Sequence, residues 1–190
     1  MVATIVLAHL LSRMASVNAG LYTYTATLQA NVRMLSFPFL ETQIVGTIYR
    51  KEPNHEKLVI TSGLPGVAQQ FANLYPNIVA PASWQATFGL HVVSDDGTAV
   101  RLRLTPIKRG NVEHIDATVD ERSALVTVLR WNYRNGGWAQ MTQTYAAVGG
   151  DEVPVTQHGQ IEEPGYVADI DATVSDYHLN APIADGVFAQ

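Results

Sequence analysis

The sequence predicts a mainly β protein in which an antiparallel sheet with one apolar face is covered by a few short helices. Apolar and polar residues alternate over Leu21–Leu35, and no helix places such a set on one side. The same alternation recurs between Gly97 and Val148, where turn residues separate successive runs. Within that stretch, Asn135-Gly136 supplies the positive φ angles that a tight hairpin needs. These observations indicate an antiparallel meander.

The predicted strands follow one another along most of the chain. They cover Leu21–Leu35, Gln43–Lys51, His55–Thr61, Gly89–Ser94, Thr98–Pro106, Asn111–Asp120, Ser123–Tyr133, Trp138–Val148, Glu152–Gln157 and Tyr166–Leu179. The segment Glu152–Gln157 is expected to be short and broken, because Pro154 has no backbone N–H to give to a sheet.

Three helices are predicted beside the sheet. The N-terminal apolar stretch precedes Val17-Asn18-Ala19, which resembles a signal-peptide cleavage site, but no basic residue precedes the stretch as a signal peptide requires. An amphipathic helix that ends near Gly20 is therefore preferred, and any signal peptide is expected outside this numbering. Val67–Tyr75 and Pro81–Phe88 are predicted as short helices lying over the open side of the sheet.

Bulk composition limits the possible functions. A chain of 190 residues is expected to form a single domain over 1–190 with a sizeable core. The net charge of -5 argues against nucleic-acid binding, which requires a basic surface. Without cysteine the chain has no disulfide, thiolate metal site or cysteine nucleophile.

No motif for nucleotide, metal or acyl-enzyme chemistry occurs, and no two histidines are spaced as metal ligands. No metal and no cofactor are therefore predicted. The carboxylates of the last strand, Asp169, Asp171 and Asp176, leave an enzyme as one hypothesis. A solvated strand face explains the same residues, and this interpretation is preferred.

The apolar face of the predicted sheet is the remaining functional feature. A sheet face rich in Tyr, Trp and Leu and covered by helices encloses either a lipid-sized cavity or a solid core, and the sequence does not separate the two. The residues expected to line the interior are Tyr24, Leu28, Val32, Ile48, Phe71, Leu74, Trp84, Phe88, Leu102, Leu104, Trp131 and Tyr145.

Several segments, taken in order, resemble the LolA-like family of periplasmic lipoprotein carriers. The resemblance covers nearly the whole chain. The segments are a helix leading into a long first strand (Ser12 to Gln29), the glycine-started strand Gly46 to Pro53, Leu102-Arg103-Leu104-Thr105-Pro106 with Lys108, the strand–turn–strand Val112 to Trp131, and the ending Asn180 to Phe188.

This resemblance implies an unclosed antiparallel β-barrel, a half-barrel, whose apolar concave side is covered by short α-helices. It implies a non-enzymatic, monomeric carrier of lipoprotein or lipid acyl chains in the periplasm or another extracytoplasmic compartment. A membrane-bound donor or acceptor protein is the partner that it implies. Family carriers have an arginine before the strand-end proline that is implicated in cargo release. Glu52 occupies that position here, and Arg50 and Lys51 precede it as candidates for the role.

An alternative of the same fold stays open. In this second hypothesis the protein is an interaction module that senses components of the cell envelope and transports no cargo.

Overall fold

The computed structural model describes residues 2–37, 40–53, 55–63 and 83–189, with side chains from residue 7 onward. Helix α1 spans Val2–Ser16, and α2 is the single turn Trp84–Thr87. The ten strands are β1 (Thr23–Met34), β2 (Glu41–Lys51), β3 (His55–Ser62), β4 (Phe88–Asp95), β5 (Ala99–Pro106), β6 (Val112–Asp120), β7 (Val126–Tyr133), β8 (Trp138–Val148), β9 (Asp151–Glu163) and β10 (Tyr166–Leu179).

All ten strands form one antiparallel sheet in the order β3-β2-β1-β10-β9-β8-β7-β6-β5-β4. Strands β3 and β4 are its two edges, and the sheet does not close into a barrel. The register places the β2–β3, β4–β5, β6–β7 and β8–β9 turns at one end of the sheet. Helix α1 leads into β1 at this end, which we call the α1 end.

Strand alternation decides which face is buried. Every second residue of β1 is buried from Tyr24 to Met34, and β5 buries Val100, Leu102 and Leu104 in the same way. Because alternate side chains lie on opposite faces, one face of the sheet is apolar and the other carries the polar residues. The buried face and α1 share one hydrophobic cluster, so the sheet wraps around the helix as a half-barrel.

The sequence-based interpretation of Glu152–Gln157 was wrong, because β9 is one of the longest strands and runs on to Glu163. Pro154 pairs with Tyr145 at a register shift between β8 and β9. At such a bulge the ladder is already interrupted, so a residue without an N–H is tolerated.

The predicted helices beyond α1 have mixed outcomes. Val67–Tyr75 lies outside the described residues. Of the helix predicted over Pro81–Phe88, residues 81 and 82 lie outside the described residues, α2 covers Trp84–Thr87, and Phe88 already begins β4. Phe88 takes an extended conformation with φ -131° and ψ 146°, which lets its backbone join β5 beside Pro106.

Gly46 lies where two strands approach closely. A Cβ atom at this position would lie 2.8 Å from the carbonyl oxygen of Val59 and 3.0 Å from a methyl group of Leu58. Backbone atoms cannot move aside cheaply, so Gly46→Ala is expected to lower the free energy of unfolding by about 1–3 kcal/mol. Chemical denaturation measures this, with Gly110→Ala as the control because its Cβ would meet nothing within 4 Å. Equal stability of the two variants would contradict the close approach.

Candidate functional site

The concave face of the sheet forms an apolar wall. Leu28 is 0% exposed at the centre of this wall, and the other members come from both halves of the sheet. They include Ala26, Ala30, Val32, Ile44, Ile48, Val100, Leu102, Leu104, Ile115, Ala117, Val119, Leu129, Trp131, Ala139, Met141, Ile161, Ile170, Ala172 and Val174. A wall of this kind, contributed by a single curved sheet, suits a hydrocarbon chain.

Helix α1 lies against this wall. Leu10, Leu11 and Met14 bury their side chains there, and Trp84 of α2 belongs to the same cluster. The turn after α1 is fastened to the β8–β9 turn by Asn18. Its side chain donates to the carbonyl oxygen of Glu152 at 2.8 Å and accepts from the N–H of the same residue at 2.9 Å.

A cavity of about 400 Å³ opens at the α1 end, between the last turn of α1 and the sheet. Its lining is mixed, because Met14 and Val17 on the helix side and Val126 and Val153 on the sheet side are apolar and lie beside polar side chains. The polar lining residues are Asn18, Arg50, Glu52, Glu56, Gln143, Tyr145, Glu152 and Gln157. The concave face therefore changes from hydrocarbon to polar groups along its length.

An ion cluster forms part of this polar end. Arg50 of β2 lies 2.9 Å from Glu52 and 3.3 Å from Glu56, and its side chain is 24% exposed. The Glu56 side chain is 10% exposed. Burial raises the pKa of Glu56 to about 7, against the opposing effect of Arg50. The carboxyl group of Glu56 therefore titrates near neutral pH.

Two glutamines and a tyrosine form a hydrogen-bonded network beside the ion cluster. The Gln143 amide donates to the carbonyl oxygen of Val126 at 3.0 Å and to the Tyr145 hydroxyl at 2.5 Å. The Tyr145 hydroxyl donates to the same carbonyl at 2.8 Å, and Gln157 donates to Gln143 at 3.4 Å. Buried polar groups need such partners, so this network holds the polar wall in one arrangement.

Tyrosines complete the polar end. The rings of Tyr24 and Tyr177 meet edge to face with centroids 5.4 Å apart, and the Tyr177 hydroxyl donates to the carbonyl oxygen of Pro154. Burial raises the pKa of the hydroxyl groups of Tyr24, Tyr145 and Tyr177. All three stay neutral at physiological pH.

Most residues predicted to line the interior do share one space. Tyr24, Leu28, Val32, Ile48, Trp84, Leu102, Leu104 and Trp131 belong to the buried cluster, and Phe88 packs against it while partly exposed. Tyr145 lines the cavity at the polar end. Phe71 and Leu74 lie outside the described residues. Whether these side chains bind cargo stays a prediction.

The two basic candidates lie on opposite faces of β2. Arg50 points into the cavity with its two carboxylate partners. Lys51 is its immediate neighbour on the strand, and it pairs with Asp185 at 2.5 Å near the chain end. Of the two, Arg50 alone lines the cavity.

Sequence reasoning missed Glu56, Gln143, Gln157 and Tyr177. Glu56 stands on the same parity as Leu58 and Ile60 in β3, and a charged residue on an apolar parity is a signal that was available. Tyr177 gave no such signal, because a register shift in β10 and the positive φ of Asp176 (53°) change the alternation.

The carboxylates of the last strand lie away from the cavity. Asp169 pairs with Arg33 at 3.1 Å, Asp171 contacts His158 at 2.7 Å, and Asp176 accepts from Ser175 at 3.1 Å. All three contacts are solvent-exposed, as expected for ion pairs and hydrogen bonds on the outer face of a sheet.

Among the described residues, no helix is long and apolar enough to cross a membrane.

Comparisons with solved structures define the fold. A LolA superfamily protein from Nitrosomonas europaea aligns over 96% of this chain and 97% of its own, with a TM-score of 0.66 and 14% identity. A DUF1329 family protein from Desulfovibrio piger covers 95% of this chain and 94% of its own, with a TM-score of 0.66 and 12% identity. A domain described as an outer membrane lipoprotein-sorting protein, from Vibrio parahaemolyticus, gives the same coverage and TM-score at 10% identity.

No protein-family model and no curated protein matches the chain. The structural likeness nevertheless extends over nearly the full length of all three proteins. This protein is therefore an open antiparallel half-barrel with an apolar concave face and a covering helix. Its fold is the LolA-like fold, which confirms the expectation drawn from the sequence.

Proposed function

We propose that this protein is a non-enzymatic carrier that binds the acyl chains of lipoproteins or lipids along its concave face. The observation that supports the proposal is the apolar wall, which a separate helix covers and, among the described residues, no second sheet does. A helix that is joined to the sheet by one short turn can move aside, whereas two packed sheets cannot separate without unfolding. Each methylene buried on the wall contributes about 0.8 kcal/mol, so part of one chain is enough for useful affinity.

The cell envelope is the proposed location, because lipoprotein sorting to the outer membrane is what one structural neighbour is named for. A carrier must also receive and deliver its cargo, so a membrane-bound donor or acceptor protein is the proposed partner. Within this proposal Arg50 takes the cargo-release role, since it stands at the polar mouth of the concave face.

Charging the wall is expected to weaken binding of an uncharged fluorescent acyl probe, such as a labelled monoacylglycerol. Leu104 is 1% exposed on the concave face, so a carboxylate in Leu104→Glu would be buried among hydrocarbon. Fluorescence titration should show at least about a tenfold loss of affinity, equivalent to one to two buried methylenes or more. Thr105→Glu is the matched control, because Thr105 is exposed on the other face of the same strand.

Circular dichroism must first establish that both variants are folded. A folded wild-type protein that binds no acyl probe would contradict the carrier function and favour the envelope-sensing module. Equal weakening by the two glutamate substitutions would show that the probe does not use the concave face.

Loosening α1 is expected to make loading easier. Asn18→Ala removes both hydrogen bonds to Glu152, and it should lower the free energy of unfolding by about 1–2 kcal/mol. Because α1 covers the wall, the rate of probe uptake should rise in stopped-flow fluorescence. Ser12→Ala, at an exposed position of α1, is the control. A slower uptake in Asn18→Ala would show that α1 is not the element that opens.

A further inference from the structure

The cavity at the α1 end makes that end of the concave face chemically different from its centre. Toward the centre of the sheet the wall is hydrocarbon, whereas at this end it carries the buried polar side chains Gln143 and Gln157 and the ion cluster. An amphiphile lying along the wall would therefore place its polar group in the cavity. The chemistry of the cavity then decides which polar group fits.

The charge of the cavity lining is the first indication of which polar group fits. The cavity is lined by three carboxylates, those of Glu52, Glu56 and Glu152, and by one guanidinium, that of Arg50. Arg50 is already engaged by Glu52 at 2.9 Å and by Glu56 at 3.3 Å. An anionic group entering the cavity would have to displace one of these carboxylates, while the excess of negative charge attracts a cation.

The neutral side chains of the cavity also favour a cation. Tyr24 and Tyr145 line the cavity, and the face of an aromatic ring attracts an ammonium group electrostatically. Tyr22 borders it as well, and this residue is 66% exposed. Carboxylates together with tyrosine rings are a combination that suits a cation better than a phosphate or a carboxylate.

We propose that this cavity binds the ammonium group of an amphiphile whose hydrocarbon chain lies along the concave wall. The proposal rests on the carrier function, because the chain supplies most of the affinity and the head group selects the ligand. Glu52 and Glu56 are the groups that receive the ammonium, and Arg50 holds them in place.

A series of ligands with one chain length separates the contribution of the head group to the affinity from that of the chain. Isothermal titration calorimetry at pH 8, below the critical micelle concentrations, compares dodecylammonium, laurate and dodecyl maltoside. We expect dodecylammonium to bind about tenfold more tightly than laurate, as for a charge-assisted contact in a partly buried site. Ethylammonium, which has the same head group and almost no chain, should show no measurable binding. This result would distinguish a site for an amphiphile from a site for a small free amine.

Two carboxylate variants test the cavity directly. In Glu52→Gln and in Glu56→Gln, Arg50 keeps one ion pair, so each variant is expected to fold. Each should reduce the preference for dodecylammonium over laurate by at least about threefold, because one negative charge is lost beside the head group. Glu162→Gln is the control, since Glu162 is exposed at the opposite end of the sheet, and it should leave the preference unchanged.

The outcomes distinguish the two proposals. If all three dodecyl ligands bind equally, the carrier function stands and the ammonium site is wrong. If laurate binds best, or if the preference survives in both cavity variants, the ammonium site is equally wrong. If no dodecyl ligand binds to the folded protein, both proposals fail together.

Discussion

Replacing Arg50 with methionine is expected to lower the free energy of unfolding by about 3–5 kcal/mol at pH 8, the range for breaking a buried ion pair. The change leaves Glu52 and Glu56 beside one another without the guanidinium that neutralises them. Urea denaturation followed by circular dichroism measures the loss. At pH 5 the loss should be smaller, because Glu56 is then protonated and leaves one carboxylate charge in the cluster.

Two further variants make this expectation specific. The double variant Arg50→Met with Glu56→Gln should recover part of the stability, since it removes the more buried carboxylate along with its partner. Arg33→Met is the matched control, because Arg33 forms an ion pair with Asp169 while 56% exposed, and such pairs contribute at most about 1 kcal/mol. Similar losses for Arg33→Met and Arg50→Met would mean that the cluster is no more than a surface ion pair.

Stability is expected to fall as the pH rises from about 4.5 to about 7. The Glu56 carboxyl has its ordinary pKa of 4.5 in the unfolded chain and a pKa of about 7 in the folded protein, so the folded protein binds more protons over this interval. The stabilisation from the neutral carboxyl is complete below pH 4.5 and is lost as the pH passes through 7. A shift of this size corresponds to roughly 3 kcal/mol. Denaturation at a series of pH values measures it.

Glu56→Gln isolates this contribution from the other titrating groups, because glutamine imitates the neutral acid. The groups that face Glu56 are Arg50 and Glu52 of the ion cluster and the neutral tyrosines Tyr24, Tyr145 and Tyr177. The variant should be more stable than the wild type at pH 8 and should show a flatter pH profile. Parallel profiles would mean that Glu56 has an ordinary pKa in the folded protein.

The sheet was predictable because the sequence signals that specify its strands and turns are local. A two-residue alternation sustained over β1, β5 and β6 admits no other regular structure, and hairpin turns such as Asn135-Gly136 join neighbouring strands. The resemblance to the LolA-like family then supplied what local pattern lacks, namely that the sheet stays open. Pro154 misled the prediction because the cost of a proline depends on the partner strand, and a bulge there removes that cost.

The polar end of the site was harder to predict, because it is assembled from distant residues. Tyr24, Arg50, Glu56, Gln143 and Tyr177 lie on five different strands, and only the register of the sheet brings them to one end. Bulges in β7, β9 and β10 also change the parity that sequence reasoning extrapolates. The apolar wall has no bulge at its centre, which is why its members were predicted more completely.

The pairing of β1 with β10 sets the order in which the protein can be completed. These strands are the first and the last of the sheet in sequence, yet they are hydrogen-bonded neighbours inside it, third and fourth in the strand order. While a ribosome or a translocon delivers the chain from its N-terminus, β1 pairs early with β2 but waits for its second neighbour, β10, until nearly all of the residues of the sheet have emerged. Until then the sheet exists as two separate pieces, β1–β3 and β4–β9, each with an unpaired inner edge open to wrong strands. A nascent chain of this topology gains from any factor that shields β1 until β10 arrives.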